Sequence, residues 1–240
     1  MKRIIASTSA LALLAACGSA ENEATAPAEA ARATPVGPEA AVDPQGETVH
    51  ILAFGDSLFA GYGVEAGESY PAQLERALRA QGINANIANA GVSGDTTQAG
   101  RDRLAFTIDG QPHLPDLVII ELGGNDLIRS IPPEQTRSNL RRMLEIAREK
   151  DVPAILFGMR APPNLGEEFV SQYDAIYREL AEEFDVPLVP FFLESIYRDP
   201  ANFQSDRIHP TAAAIGALVE DTADDVVAAI PDPASEAEQQ

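Results

Sequence analysis

Val49-His50-Ile51-Leu52-Ala53-Phe54-Gly55-Asp56-Ser57-Leu58 is the stretch from which the chain is best read. Its first six residues are apolar apart from His50 and predict a short buried strand over 49–54. Gly55-Asp56-Ser57 then turns the chain and presents Ser57 at the strand's carboxyl end, where open α/β sheets carry their ligand sites. A serine there is only a candidate nucleophile. Its hydroxyl is inert at its free pKa and needs a base, an orienter for that base, and donors for an oxyanion.

Strands and helices alternate beyond it. Ser69-Tyr70-Pro71 opens a helix that Gln81-Gly82 closes, and 83–88 predicts a second strand. Asn89 to Asp95 is a glycine-bearing loop, and a helix is expected over 96–106. Asp116-Leu117-Val118-Ile119-Ile120-Glu121-Leu122 is the clearest strand, apolar on both faces like a central parallel one. Pro132-Pro133-Glu134 starts a helix carrying Leu140, Met143, Leu144 and Ala147 at helical spacing. A fourth strand is expected over 153–159, a helix over 167–184 and a fifth strand over 186–191. Thr211 caps a last helix with Ile215, Leu218, Val219 and Val226 facing inward. This order implies an α/β fold, a parallel sheet covered on both faces.

The base must come from three histidines. His50 lies within the first strand and reads as a packing residue. His113 sits in a turn at the amino end of a strand, away from Ser57. His209, in Ser205-Asp206-Arg207-Ile208-His209-Pro210, has a carboxylate three residues earlier. In so tight a loop Asp206 can reach the imidazole nitrogen that faces away from the serine, fixing the tautomer. Asp-x-x-His alone is better explained by a helix-capping loop. Three donors suit the oxyanion: the backbone amides of Ser57 and Gly94, and the side-chain amide of Asn125. Gly94 alone is turn punctuation, and Asn125 alone is a loop cap. Together Ser57, Gly94, Asn125 and the Asp206/His209 pair all follow strands or occupy the last loop, so they converge on one edge of the sheet.

These residues carry a resemblance. Gly55-Asp56-Ser57-Leu58, Ser93-Gly94-Asp95-Thr96, Gly123-Gly124-Asn125-Asp126 and Asp206-x-x-His209-Pro210 resemble the four blocks of the GDSL, or SGNH, hydrolase superfamily. Gly91 to Gln98, Glu121 to Asp126 and Phe184 to Phe192 are similar to its bacterial thioesterase I / protease I / lysophospholipase group, over about residues 48–230. The resemblance implies a three-layer α/β/α sandwich with a flavodoxin-like, five-stranded parallel sheet, and hydrolysis of small-molecule acyl esters or thioesters without a cofactor. It implies Ser57 as nucleophile, His209 as base and Asp206 as orienter, with Ser57, Gly94 and Asn125 forming the oxyanion hole. Leu58-Phe59, Ile131-Pro132-Pro133 and Ala161 to Leu165 are expected to line an apolar acyl groove, with Arg160 beside it.

The front of the chain departs from that group, whose members commonly carry an ordinary cleavable signal. Met1-Lys2-Arg3 is a basic start, and residues 4–16 form an uncharged run too short to span a bilayer, which takes about 20 residues. The run ends in Leu14-Ala15-Ala16-Cys17 and resembles a bacterial lipoprotein signal in which Cys17, the single cysteine, is lipidated. The expected organisation is therefore a signal with its lipidated cysteine (1–17), an Ala/Glu/Pro tether (18–46), the hydrolase domain (47–230) and a short tail (231–240). It places the protein in the cell envelope, on the periplasmic face, held to the outer membrane by its lipid; a soluble periplasmic or secreted form is the alternative. A net charge of −20 argues against nucleic acid as a partner. Scattered histidines without metal-ligand spacing give no support to a metal. Two other functions compete with the esterase reading. One is a carbohydrate acetylesterase of the same superfamily. The other is a non-catalytic envelope binding lipoprotein, against which the intact Ser57, Asp206 and His209 speak.

Overall fold

The computed structural model describes residues 44–231. Cys17 with its signal-like segment, residues 18–43 of the expected tether and 232–240 of the tail lie outside the described residues. Five strands form one sheet: β1 (Gln45–Gly55), β2 (Ile83–Gly91), β3 (Leu117–Glu121), β4 (Ala154–Phe157) and β5 (Leu188–Val189). The order is β2-β1-β3-β4-β5 and every pairing is parallel. After β1 the chain steps outward to β2 and then returns to the far side of β1. The carboxyl ends of β1 and β3 therefore flank the point where the winding reverses, and a crevice opens there.

Parallel strands require crossovers, and helices supply them. Among the described residues these are α1 (Ser57–Ala60), α2 (Tyr70–Ala80), α3 (Thr97–Asp109), α4 (Gly124–Ile128), α5 (Pro133–Glu149), α6 (Glu167–Phe184) and α7 (Ala212–Ala229). The α2 helix packs on α7, while α5 packs between α3 and α6. Both faces of the sheet are covered, so all five residues of β3 are buried. None of these helices is long and apolar enough to cross a membrane.

The sheet is shifted at its edges from the expected bounds. The β1 strand begins at Gln45, where exposed polar residues hide the apolar pattern. The β2 strand runs three residues past Ala88, because Asn89, Ala90 and Gly91 pair with Ala53, Phe54 and Gly55. The β5 strand keeps only Leu188 and Val189 of the apolar run 186–191. Pro187 and Pro190 bracket it, and neither has an N–H to give to a ladder.

Two contacts fix the turns that follow β1 and β3. Phe59 is fully buried, stacks on Tyr70 at 5.0 Å and meets Phe157 and Phe192 edge-on. This pins α1, and Ser57 with it, to the core. The expectation that Phe59 faces an acyl groove is thereby corrected. After β3, the Tyr177 hydroxyl donates to the Leu122 carbonyl at 2.8 Å and that of Tyr173 to the Gly123 carbonyl at 2.9 Å. Gly123 itself has φ 128°, and a Cβ there would lie 2.1 Å from the Tyr177 hydroxyl. Gly123→Ala is expected to destabilise the fold by about 3 kcal/mol, from backbone strain and overpacking together. For a domain of this size that is a drop of about 6–12 °C in Tm. A thermal melt of the full chain checks it, and an unchanged Tm would mean the tyrosines do not clamp this turn.

Candidate active site

Ser57 is the first residue of α1, with Asp56 as the N-cap whose carboxylate accepts the Leu58 amide at 3.0 Å. A helix start faces its first side chains and amides outward from the strand end, so the turn expected after β1 is the opening of a short helix. Ser57 Oγ lies 2.8 Å from His209 Nε2, and His209 Nδ1 lies 2.7 Å from Asp206 Oδ2. The other Asp206 oxygen accepts the backbone amides of Ile208 at 2.9 Å and His209 at 3.1 Å. The hydrogen bond from His209, followed by those two amides, holds the Asp206 carboxyl down at about 2. It is ionised at neutral pH, so the imidazole proton sits on Nδ1 and the Nε2 lone pair is free to accept from Ser57.

The loop holding His209 is closed by local and distant bonds. Phe203 and Pro210 form an antiparallel bridge, and the Gln204 amide donates to the His209 carbonyl at 2.8 Å. The Gln204 side chain donates to the carbonyls of Tyr62 at 2.8 Å and Pro210 at 3.0 Å. The Tyr62 ring lies 4.3 Å from the His209 ring. Loop residues 203–210 are thus stitched to the segment just after α1, which sets the imidazole over the serine. His50 and His113 stack on each other at 4.4 Å and line a separate hollow of about 290 Å³ beside the start of β3.

The expected oxyanion donors border the same space as the serine. Ser57, Gly94, Asn125 and His209 all line one cavity of about 610 Å³. None of the hydrogen bonds among the described residues uses the Ser57 or Gly94 amide, and the Gly94 carbonyl is held by Arg129 at 2.8 Å. Asn125 is the second residue of α4, and its Nδ2 donates to Asp56 Oδ2 at 2.9 Å. The start of α4 is anchored by Asp126, a buried residue to which the sequence alone assigns no role of its own. It accepts from the Thr97 amide at 2.9 Å, from the Thr97 hydroxyl, and from the Thr136 hydroxyl at 2.8 Å. One carboxylate thereby ties α4 to the first turns of α3 and α5.

The acyl groove is built differently from the sequence expectation. Leu58 and Pro162 line the cavity, but Ile131, Pro132 and Pro133 do not. Its remaining apolar walls are Tyr62, Leu127, Ile128, Met159, Phe191, Leu193, Phe203 and Ile208. Arg160 does border it, paired with Glu194 at 3.3 Å. No sequence signal marks these wall residues, which come from α4 and from loops scattered along the chain. Among the described residues no group of three or more His, Cys, Asp or Glu side chains is disposed to hold a metal ion.

Fold and site together define a class, a serine esterase on a flavodoxin-like sheet. Residues 53–214 match the GDSL-like Lipase/Acylhydrolase family, and the chain belongs to that family. It is 41% identical over 160 residues to the thioesterase 1/protease 1/lysophospholipase L1 of Escherichia coli strain K12, covering 67% of this chain and 74% of that protein. It is 38% identical over 177 residues to an arylesterase of Vibrio mimicus, covering 74% of this chain and 88% of that one. The solved structure of AlinE4, an SGNH-hydrolase family esterase, is 54% identical and superposes with a TM-score of 0.66. It covers 78% of this chain and all of its own.

Two buried carboxyls lie beneath Ser57. Burial, above all, pushes Asp56 up to about 6, against the lowering effect of the Leu58 and Asn125 hydrogen bonds. Glu121 is fully buried, its Oε1 has no partner, and burial followed by the nearby Asp56 holds it well above the usual carboxylate range. A carboxyl raised in the folded state binds its proton more readily there than in the unfolded chain. Its contribution to stability is therefore greatest at low pH and falls as pH rises through the folded pKa. Set against Asp56→Asn, the wild type is expected to lose about 3 kcal/mol of stability between roughly pH 4 and pH 7. Denaturant melts of both proteins across that range measure the difference, and parallel profiles would show an unperturbed Asp56.

Proposed function

We propose that Ser57, His209 and Asp206 carry out ester hydrolysis through an acyl-enzyme. The observation that supports this above all others is the 2.8 Å approach of Ser57 Oγ to His209 Nε2. Ser57 Oγ attacks the acyl carbonyl while Nε2 takes its proton. The charge that gathers on the carbonyl oxygen is held by the amides of Ser57 and Gly94 and by Asn125 Nδ2. The imidazolium, steadied by ionised Asp206, gives its proton to the departing alcohol or thiol. Water then repeats the sequence on the acyl-enzyme and frees Ser57.

The acyl chain is assigned to the apolar walls. A cavity of about 610 Å³ bounded by Leu127, Met159, Phe191 and Leu193 has room well beyond an acetyl group. That favours acyl esters of aryl or lipid alcohols over acetylated sugars. Hydrolysis of p-nitrophenyl esters from acetate to palmitate tests the reading in the full chain. The optimum is expected beyond acetate, Ser57→Ala is expected to abolish turnover, and Asn125→Ala is expected to cost about 10²–10³-fold in kcat. Ser57→Ala retaining the wild-type rate would remove the serine mechanism.

The membrane assignment rests on the sequence. Cys17 after Leu14-Ala15-Ala16 is proposed as the lipidated residue, anchoring the enzyme to the outer membrane on its periplasmic side. More than one acyl chain on the cysteine supplies stable anchoring, where a single chain is marginal. Cys17→Ser is expected to abolish incorporation of labelled palmitate and to move the protein from the detergent phase to the aqueous phase. Labelling of the variant at the wild-type level would exclude this anchor.

A further inference from the structure

Asp56 belongs to the most recognisable stretch of the sequence but takes no part in the cycle above. It is 2% exposed, lies between β1 and α1, and each of its polar groups has a neighbour. Its carbonyl accepts the Ala60 amide at 2.9 Å, and its own amide lies 3.4 Å from Glu121 Oε2. One side-chain oxygen takes the Leu58 amide at 3.0 Å and the other takes Asn125 Nδ2 at 2.9 Å. Capping α1 needs a single acceptor, and a serine or threonine would provide it. The second acceptor is aimed at Asn125.

A side-chain amide can turn over about its last torsion, exchanging a donor end for an acceptor end of nearly the same shape. One orientation turns Asn125 Nδ2 to the site, and the other presents a carbonyl oxygen that would repel a developing oxyanion. A carboxylate accepts only, so it tolerates the nitrogen end and rejects the oxygen end. We infer that Asp56 is a positioning residue for the oxyanion hole: its carboxylate sets which end of the Asn125 amide faces the ester. One Nδ2 proton is committed to Asp56, and the planarity of the amide then directs the second toward the cavity that both residues line.

The surroundings agree with an ionised acceptor here. Glu121 from β3, Asp95 from the loop before α3 and His209 from the loop before α7 face this carboxyl along with Asn125. Burial, followed by the nearby Asp56, raises Glu121 well above the usual carboxylate range, which disfavours a second charge beside the carboxyl bonded to Asn125. An asparagine at position 56 would fit the space, but it offers one acceptor and one donor. It could bond Asn125 in either orientation, and the choice would be lost.

The inference rests on the oxyanion role proposed for Asn125, and a double-mutant cycle on the full chain separates the two. Asp56→Asn, Asn125→Ala and their combination are compared for kcat and KM on one p-nitrophenyl ester. Asp56→Asn is expected to lower kcat by about 10–100-fold with KM changed by less than about twofold. In the Asn125→Ala background the same substitution is expected to change kcat by less than about threefold, because its target is gone. Asp56→Ser keeps a cap for α1 while releasing Asn125, so it should reproduce the kcat loss of Asp56→Asn, and it decides the question alone should Asp56→Asn fail to fold. Wild-type kcat in either variant, or a loss that multiplies in full through the Asn125→Ala background, would overturn the positioning role alone. Undiminished kcat in Asn125→Ala itself would overturn the oxyanion assignment and this inference with it.

Discussion

The site depends on the register of three strands. Gly55, the last residue of β1, pairs with Gly91 at the end of β2 on one side and with Glu121 at the end of β3 on the other. The three strands therefore finish in one row, and the segments carrying the serine and the oxyanion donors leave from it: Asp56-Ser57, Val92 to Gly94, and Leu122 to Asn125. A slip of one residue in either ladder would turn the emerging side chains to the opposite face. The row is also tight. A Cβ on Gly91 would lie 2.3 Å from the Ala60 nitrogen, so the helix bearing Ser57 is seated directly on the end of β2.

Carboxyl groups around this row have been given separate environments, and each environment assigns a task. Asp126 is buried but meets three donors from α3 and α5, and serves as a structural knot. Glu121 is buried with an orphaned oxygen, and burial raises it well above the usual carboxylate range. Asp56 retains an ionisable carboxyl against the cost of burial, at about 6, and its two oxygens order a helix start and an amide. Asp206 stands at the surface with three hydrogen bonds and is held at about 2, so the imidazole always has a charged partner. Environment, rather than residue type, distinguishes these roles.

How much of this could be read in the sequence follows from the range of each interaction. The Asp206/His209 pair was legible because its three-residue spacing in a tight loop allows the contact and the other site residues fall at the same sheet edge. The order of strands and helices was legible because periodicity is local, and α6 begins and ends where its apolar stripe does. Short elements were not. The four residues of α1 and the five of α4 are too few to show a period, and they are held by Phe59 and Asp126 in the tertiary fold. The bond from Asn125 to Asp56 spans 69 positions, and nothing local marks it. The acyl walls were misread for a related reason. Proline- and leucine-rich loops looked like groove, whereas the actual walls are apolar residues gathered by topology from α4 and from loops scattered along the chain.

The two halves of the site are secured by different means. The proposed nucleophile and oxyanion donors stand on the sheet's own edge, where backbone ladders, Phe59 and the paired tyrosines leave little freedom. The proposed base and orienter stand on a surface loop joined to that edge chiefly through Gln204 and the Tyr62 ring. Such a division suits the chemistry. Donors to an oxyanion act by being fixed before charge develops, and any reorganisation would subtract from their effect. The imidazole must instead reach first the serine and then the leaving group, a small excursion that a stitched loop permits and a strand end would not. The rigid half fixes where the tetrahedral centre forms, and the looped half moves the proton around it.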